Sequence, residues 1–145
     1  MRLTRIFLAG MAIITGVFAW GVPSAYAVGC YGETCYNKGP VAMGCTKDQR
    51  LISDPAWRGN LQVLYSPACR AAWADSNWEP LHSCWYLELE RARSNLIVQS
   101  RLRVEHCPGE AREWTNMFPG GWYYRAVRND TASGGTADYT AWVFR

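Results

Sequence analysis

Six cysteines constrain the fold of this 145-residue chain more than any other feature of its sequence. All of them follow a signal-like leader, and they stand at Cys30, Cys35, Cys45, Cys69, Cys84 and Cys107. An even number of cysteines in a small exported chain is typical of a disulfide framework, in which each bridge contributes on the order of 2–4 kcal/mol. We therefore expect three disulfides, which would leave no thiolate to act as a catalytic nucleophile.

The competing hypothesis for these cysteines is zinc. Cys30 and Cys35 have the spacing of half a tetrahedral site. Two pairs of residues would complete such a site: Cys45 with Cys69, or His82 with His106. Because this second half lacks the close paired spacing of a zinc knuckle, and because exported thiols meet oxidants, we expect disulfides and no metal.

The N-terminal segment predicts export. Residues 1–5 are short and basic, residues 6–20 are apolar without a charge, and Ala25-Tyr26-Ala27 has the small-x-small pattern that signal peptidase accepts. The apolar run of 15 residues is short for a membrane core, which takes about 20, so an uncleaved anchor is disfavoured. We expect a signal peptide over 1–27, a single disulfide-rich β domain over 28–145, secretion, and no stable membrane insertion after cleavage.

The charge of the chain disfavours nucleic acid as a partner. Arg2 and Arg5 lie in the leader. The remainder therefore has 13 of the 15 Lys+Arg and all 12 Asp+Glu, and its net charge is +1 in place of +3. Such a balance gives little electrostatic reason to expect nucleic acid or an anionic membrane. The hydrophobic (49%) and charged (19%) fractions exclude a disordered tail, a collagen-like repeat and a polytopic membrane protein.

The chain after the leader divides into three stretches. Residues 28–60, rich in Gly, Pro, Asn and Asp, predict a cysteine-stapled loop region. Leu61–Tyr65 alternates as a strand does, and Ser66 followed by Pro67 is typical of a helix N-terminus, which predicts a short helix that sets Cys69 and Trp73 on one face. Residues 79–145 predict further strands, the last two over 122–128 and 139–144. We therefore expect a mainly β fold: a small disulfide-stapled antiparallel β sandwich or barrel-like domain with one short helix, after an N-terminal signal helix.

The clearest local pattern is a hairpin of two alternating strands, over 85–93 and 96–106. A two-residue turn at Ser94-Asn95 has the better turn residues and would set Glu88 opposite Arg101. A four-residue loop instead sets three pairs directly opposite: Cys84 with Cys107, Glu88 with Arg103, and Glu90 with Arg101. We prefer the second register because it satisfies charge pairing and sulfur geometry together. The remaining four cysteines then bridge one another in one of three connectivities, which the sequence does not distinguish.

Catalytic patterns are sparse. Glu88 and Glu90 share one strand face, where their carboxylates would lie roughly 6–7 Å apart, a separation of interest for a glycosidase. Solvated carboxylates that pair with the arginines across the hairpin are the more common explanation. Neither His82 nor His106 stands in an HExxH motif, and the chain has no G-x-S-x-G, G-x-G-x-x-G or Walker motif. We expect no catalytic residue and no cofactor.

Aromatic residues are the other candidates for function. Seven Trp and seven Tyr follow the leader, including Trp85-Tyr86 and Trp122-Tyr123-Tyr124. Adjacent strand residues point to opposite faces, so at least one ring of each group is expected to be exposed, where it could stack on a sugar. The candidate binding aromatics are Tyr86, Trp122, Tyr123 and Tyr124. The alternative is that these large rings serve as core mass in a small domain.

The N-terminal cysteine pattern resembles a known family. The pattern runs through Cys30-Tyr31-Gly32-Glu33-Thr34-Cys35, Lys38-Gly39-Pro40 and Met43-Gly44-Cys45 to Leu64-Tyr65-Ser66-Pro67-Ala68-Cys69-Arg70-Ala71-Ala72-Trp73. Over residues 30–74 it is similar to the domain-of-unknown-function family 2690, found largely in exported or membrane-anchored actinobacterial proteins. Because that family has no established activity, the resemblance implies an exported structural or binding domain and supplies no catalytic residues.

Two functional hypotheses follow. The first is a secreted, disulfide-stabilised, non-enzymatic module that binds a cell-envelope polymer, such as a cell-wall polysaccharide, or another extracellular partner. The alternative is a small secreted hydrolase that uses Glu88, Glu90 or a histidine. The side chains that line a concavity of the structure would discriminate between them.

Overall fold

The computed structural model describes residues 27–54, 56, 60–77, 84–110, 113–130 and 137–145. The predicted signal peptide up to residue 26, with its helix, and the candidate His82 lie outside the described residues. Within the described ranges, no helix is long and apolar enough to cross a membrane.

In the part of the chain that the structure describes, ten strands form two antiparallel sheets. Sheet 1 has the order β1-β2-β3-β6, with β7 also paired to β3, and sheet 2 has the order β10-β8-β4-β5, with β9 also paired to β8. The strands of sheet 1 are β1 (Arg50–Leu51), β2 (Leu61–Ser66), β3 (Ala71–Ser76), β6 (Glu113–Trp114) and β7 (Phe118–Pro119). Those of sheet 2 are β4 (Trp85–Ala92), β5 (Val98–His106), β8 (Tyr123–Asp130), β9 (Asp138–Tyr139) and β10 (Val143–Phe144). The strand predicted over 139–144 is thus divided into β9 and β10.

The core lies between the two sheets. Alternating side chains of each sheet, such as Leu61 and Val63 in β2 and Leu87 and Leu89 in β4, meet there and are almost fully buried. Burial of such side chains stabilises by about 1.5–3 kcal/mol each, so this layer holds the sheets face to face. The predicted mainly β, antiparallel, disulfide-stapled fold is confirmed, in its sandwich form.

The hairpin register predicted from charge and sulfur geometry is confirmed. Trp85–Arg91 of β4 pairs with β5 so that Glu88 lies opposite Arg103 and Glu90 opposite Arg101. Cys84 and Cys107 form a disulfide with a Cα separation of 4.1 Å. The turn combines the two alternatives: the Leu96 amide donates to the Arg93 carbonyl at 2.9 Å around Ser94-Asn95, and the register shifts at Arg91/Ala92. The irregularity changes the pairing by one residue, from Arg91 opposite Ser100 to Ala92 opposite Val98.

The prediction of a helix that begins after Ser66 is wrong. The Ser66 hydroxyl accepts the Cys69 amide at 2.9 Å, as an N-cap would, but Arg70 at φ 49° ends a turn and the chain returns as strand β3. Ser-Pro is as suitable for a turn as for a helix start, so the local pattern was ambiguous. All six residues of β3 are buried, which removes the alternation that identifies a strand. The helical segments that the structure describes are two short 3₁₀ helices, Gly32–Cys35 and Cys45–Asp48.

Residues 28–48, which we call the cysteine segment, cover the outer face of sheet 1. The Gly32 amide donates to the Cys69 carbonyl at 2.8 Å, and Asn37 and Met117 are joined by an amide–carbonyl bond of 3.0 Å. Beneath the segment lies a second buried cluster, made of Cys30, Cys35, Cys45, Leu64, Cys69, Ala71, Trp73 and Met117. Cys69 and Trp73 therefore pack in one cluster, as predicted, although no helix joins them.

Two disulfides secure the cysteine segment. Cys30 pairs with Cys35, at a Cα separation of 5.0 Å, and Cys45 pairs with Cys69, at 5.7 Å. The first bridge closes a small loop within the segment, whereas the second joins the segment to the turn between β2 and β3. These pairs resolve the choice among three connectivities that the sequence left open.

Candidate functional site

Sheet 2 presents an outer face on which charged and aromatic side chains are concentrated. The register places Glu88 beside Arg103 on one neighbouring strand and Val127 on the other, and places Glu90 between Arg101 and Arg125. Tyr139 and Phe144 extend the same face because they pair with Val127 and Tyr123. We call this surface the arginine–aromatic face; its members are Tyr86, Glu88, Glu90, Arg101, Arg103, Tyr123, Arg125, Tyr139, Trp142 and Phe144.

The expectation that Glu88 and Glu90 are solvated is wrong. Only 1% of Glu88 and 4% of Glu90 is exposed. Both side chains were correctly predicted to point away from the core. Three longer arginine side chains, however, lie over the two carboxylates and exclude water. The two glutamates are thus buried on the outside of the sheet.

The five charges form one alternating chain. Glu88 pairs with Arg103 through Oε1 and with Arg101 through Oε2, the latter at 3.4 Å. Glu90 pairs with Arg101 at 3.3 Å and accepts from Nε of Arg125 at 2.7 Å. Arg101 therefore bridges both glutamates. All four carboxylate oxygens are in contact with guanidinium groups, so the glutamates hold the arginines in place and neither carboxylate is open to a substrate.

The aromatic rings on this face lie against the arginines. The guanidinium carbon of Arg103 lies 4.5 Å from the ring centre of Tyr86, and that of Arg125 lies 4.6 Å from Trp142 and 5.3 Å from Tyr139. Tyr123 and Phe144 form a further ring pair at 5.1 Å. Tyr139 and Phe144 are the most accessible of these rings, at 61% and 56% exposed.

The structure separates the four aromatic candidates. Tyr86 and Tyr123 are half-buried on the arginine–aromatic face. Tyr124 points into the core, fully buried, where its hydroxyl donates to the Pro119 carbonyl and burial raises its pKa. Trp122 packs against the core beneath the guanidinium groups of Arg91 and Arg93, at 4.5 and 3.8 Å. Adjacent residues therefore point to opposite faces as predicted, but the outward-facing rings, Tyr86 and Tyr123, are half-buried and not exposed as expected.

Three aromatic members of the face were missed by sequence reasoning: Tyr139, Trp142 and Phe144. A strand was predicted over 139–144, and the alternation of aromatic residues within it was the available signal. That signal became interpretable only once the pairing of β9 and β10 with β8 placed these rings beside Arg125.

His106 is a core residue. It is fully buried, packs edge-on against the Trp85 ring at 5.1 Å between centres, and its Nδ1 lies 3.7 Å from the Glu110 carboxylate. A buried imidazole in this position does not meet a substrate. The prediction that involved His82 concerns a residue outside the described ranges.

The first four cysteines form a compact sulfur cluster. Their Sγ atoms all lie within 4.8 Å of one another, and Cys30 and Cys45, which belong to different bridges, are 3.9 Å apart. This geometry would suit a metal if the sulfurs were thiolates. As two disulfides they offer no thiolate ligand.

A small cleft lies between the cysteine segment and sheet 1. It has a volume of about 190 Å³ and is lined by Val41, Thr46, Gln49, Trp73, Asp75 and Trp114. Asp75 is buried there and accepts from the Gln62 amide at 2.7 Å. Its lining contains neither Glu88 and Glu90 nor the four aromatic candidates, so this concavity supports neither assignment.

Comparison with known proteins adds no further assignment. No protein-family model, curated protein or solved structure matches the chain. The resemblance of residues 30–74 to the family of unknown function therefore stays an expectation.

Proposed function

We propose that this protein is a secreted, non-enzymatic module that binds a cell-envelope polysaccharide through its arginine–aromatic face. The observation that carries the proposal is a set of aromatic rings packed beside arginines on one sheet face, of which Tyr139 and Phe144 are more than half exposed. Two further observations support the secreted setting: the signal-like leader, and three disulfides, which are consistent with an oxidising environment.

The shape of the face suits a polymer. A pleated sheet surface places side chains of neighbouring strands about 5 Å apart and those of alternate residues about 7 Å apart, which gives a shallow grid and not a deep pocket. Aromatic rings on such a grid can stack on successive sugar rings, while arginine N–H groups donate to their oxygens.

The burial of Glu88 and Glu90 favours binding over hydrolysis. A glycosidase needs one carboxyl to protonate the leaving group and another to attack or to activate water. Here each carboxylate is covered by arginine, and each glutamate residue is 4% exposed or less. The hydrolase alternative that uses Glu88 and Glu90 therefore lacks an accessible acid–base pair.

Retention on purified cell walls and insoluble polysaccharides tests the proposal. We expect the exported protein to be retained, and the double variant Tyr139→Ala/Phe144→Ala to lose retention. The matched control is Tyr31→Ala, because Tyr31 is 56% exposed but lies on the cysteine segment. Equal retention of both variants would contradict binding at this face.

A turnover assay on the same polymers tests the alternative. We expect no soluble sugar to be released, either by the wild-type protein or by Glu88→Gln. Multiple turnover that is lost in Glu88→Gln would instead establish a hydrolase.

A further inference from the structure

We infer that the ligand of the arginine–aromatic face is an anionic glycan, a sugar polymer that carries carboxylate or phosphate groups. This inference rests on the proposed function and specifies its ligand. It follows from the depth of the charges on this face, where the arginines are exposed and the glutamates are buried. The near-neutral net charge of the chain does not reveal this arrangement.

The positive charges of the face are outermost. The side chains of Arg101, Arg103 and Arg125 are 51%, 43% and 27% exposed, whereas those of Glu88 and Glu90 are 1% and 5% exposed. A ligand approaching from solvent therefore meets guanidinium groups first. The carboxylates below them are shielded from the ligand by the arginines that they hold.

The guanidinium groups are pre-organised for an anion. Each carries five N–H donors in a planar fork that matches a carboxylate or phosphate. Among the described residues, the ion pair of Arg103 uses Nη2 and that of Arg125 uses Nε, which leaves further donors on both. Because glutamates and rings already fix these side chains, binding would cost less conformational entropy than at a free surface arginine.

Guanidinium groups and aromatic rings are in contact on this face. Arg103 lies 4.5 Å from the Tyr86 ring, and Arg125 lies 4.6 Å from Trp142. A sugar stacked on the exposed Tyr139 ring, whose centre lies 5.3 Å from the Arg125 guanidinium carbon, would carry its anionic substituent next to that guanidinium. A neutral sugar would use the rings but would desolvate the guanidinium groups without replacing their hydrogen bonds, which favours the anionic polymer.

One exposed acid limits where the ligand lies. Glu105 pairs with Tyr86 across the strands and so occupies one end of the same face. Its charge would repel an anionic polymer. The ligand is therefore expected to extend from Arg103 across the sheet toward Arg125 and the exposed rings, away from Glu105.

Nucleic acid fits these observations less well. With a net charge of +1 after the leader, the chain has no broad positive potential to attract a polyphosphate duplex. Short-range contacts to isolated anionic groups between stacked rings suit a glycan better. Binding to DNA is accordingly one outcome of the test.

The test titrates the exported protein with four soluble polymers at fixed salt: polygalacturonate for carboxylate, polyglycerol phosphate for phosphate, dextran as a neutral glycan, and duplex DNA. We expect one of the two anionic polymers to bind at least about tenfold more tightly than dextran and DNA, the size of one charge-assisted contact. Comparison of the first two distinguishes carboxylate from phosphate recognition.

Variants locate the contact. Arg103→Lys and Arg125→Lys keep the positive charge beside the glutamates but lose the planar fork, so each should weaken anionic-polymer binding about tenfold. Arg50→Lys, at an exposed arginine on sheet 1, is the control and should change nothing. Chemical amidation of polygalacturonate tests the same contact without altering the protein, and should abolish binding if carboxylate is the recognised group.

Three results would overturn the inference. If dextran binds as tightly as the anionic polymers, the ligand is a neutral glycan and the proposed function stands. If DNA binds as tightly, the face recognises polyanions in general and not glycans. If no polymer binds and cell walls retain nothing, the proposed function fails as well.

Discussion

The two sheets shield the buried side chains of their outer faces from water in different ways. Sheet 1 covers its outer face with a disulfide-linked segment over Leu64 and Trp73, so β3 is buried on both sides. Sheet 2 leaves its outer face to solvent and satisfies buried Glu88 and Glu90 with arginines that remain partly exposed. The first face is a second core, whereas the second is a surface held in one arrangement by charge.

Because of this difference, the outer face of sheet 1 serves mainly stability, and that of sheet 2 serves the proposed recognition. Side chains enclosed under the cysteine segment contribute to folding but have little surface for a partner, apart from the small cleft at Trp73 and Trp114. The arginine–aromatic face presents rings and donors at the cost of keeping two carboxylates buried, which is tolerated only while their partners stay in place. Changes to the two faces should therefore have different consequences.

The largest effect on stability is expected from the bridge that fastens the cysteine segment. Cys45–Cys69 and Cys84–Cys107 are separated by 24 and 23 residues, so their effects on the unfolded chain should be almost equal. Cys45→Ala/Cys69→Ala should lower the free energy of unfolding by about 2–5 kcal/mol. It should cost at least about 1 kcal/mol more than Cys84→Ala/Cys107→Ala, because it also loosens the cover over a buried cluster.

Equilibrium urea unfolding of the two double variants measures this difference, with the other disulfides kept oxidised. Equal losses would mean that the cover of sheet 1 contributes no more than chain entropy. Peptide mapping without reduction provides the control, since it shows whether the two bridges that each double variant retains are those of the wild-type protein.

A smaller loss is expected when the central arginine of sheet 2 is removed. Arg101→Gln takes a cation from both Glu88 and Glu90 and should destabilise by about 2 kcal/mol, less than for a fully buried pair because Arg101 itself is half exposed. Adding Glu88→Gln and Glu90→Gln to that variant should recover stability, since the two buried charges that each lost one of two arginine partners are then gone. Thermal melting of the single and triple variants tests this recovery. A triple variant less stable than Arg101→Gln would contradict the view that the buried carboxylates are destabilising without Arg101.

The two neighbouring tyrosines of β8 test the inward and outward faces of one strand. Because burial raises the pKa of Tyr124, its phenol stays protonated in the folded state while the unfolded phenol ionises near pH 10. The unfolded state then binds fewer protons, so the free energy of unfolding falls as the pH rises above about 10. Tyr124→Phe should remove part of that fall, at a cost of about 1 kcal/mol at neutral pH for the lost bond to Pro119.

Tyr123→Phe is the control for this measurement. Tyr123 is half-buried on the outer face, and its replacement should leave the alkaline fall in stability in place. Urea unfolding between about pH 8 and pH 11 compares the variants around the ordinary tyrosine pKa. The same alkaline slope in Tyr124→Phe and in the wild-type protein would show that the buried phenol does not contribute to it.

The parts of the fold that could be predicted from sequence are those in which one face is apolar. The alternation of Leu87 and Leu89 with Glu88 and Glu90 predicted the hairpin, and charge pairing with sulfur geometry then selected the register and the disulfide that the structure confirms. Strand β3 could not be recognised because burial of both its faces erased the period, and the Ser66-Pro67 pair suits two structures.

The candidate site was only partly predictable for a related reason. Alternation predicted that Glu88 and Glu90 face away from the core, but not that arginines would cover them. Arg125 comes from β8, and its place beside Glu90 depends on a pairing between strands that are distant in sequence. Tyr139 and Phe144 joined the face through the same strand, so the site appeared only when the strand order was known.

The smallest expected effect concerns the turn that sets the register of the arginine–aromatic face. Leu96 has φ 57°, a left-handed conformation that costs a residue with a side chain about 1 kcal/mol relative to glycine. Because Leu96 is also 42% exposed, Leu96→Gly should stabilise the protein by about 0.5 kcal/mol once the greater freedom of glycine in the unfolded chain is included. Ile97→Gly, at a neighbour that is 66% exposed and does not have a positive φ, should instead destabilise. Urea midpoints of the two variants test the turn, and a Leu96→Gly variant as unstable as Ile97→Gly would contradict the left-handed conformation of Leu96.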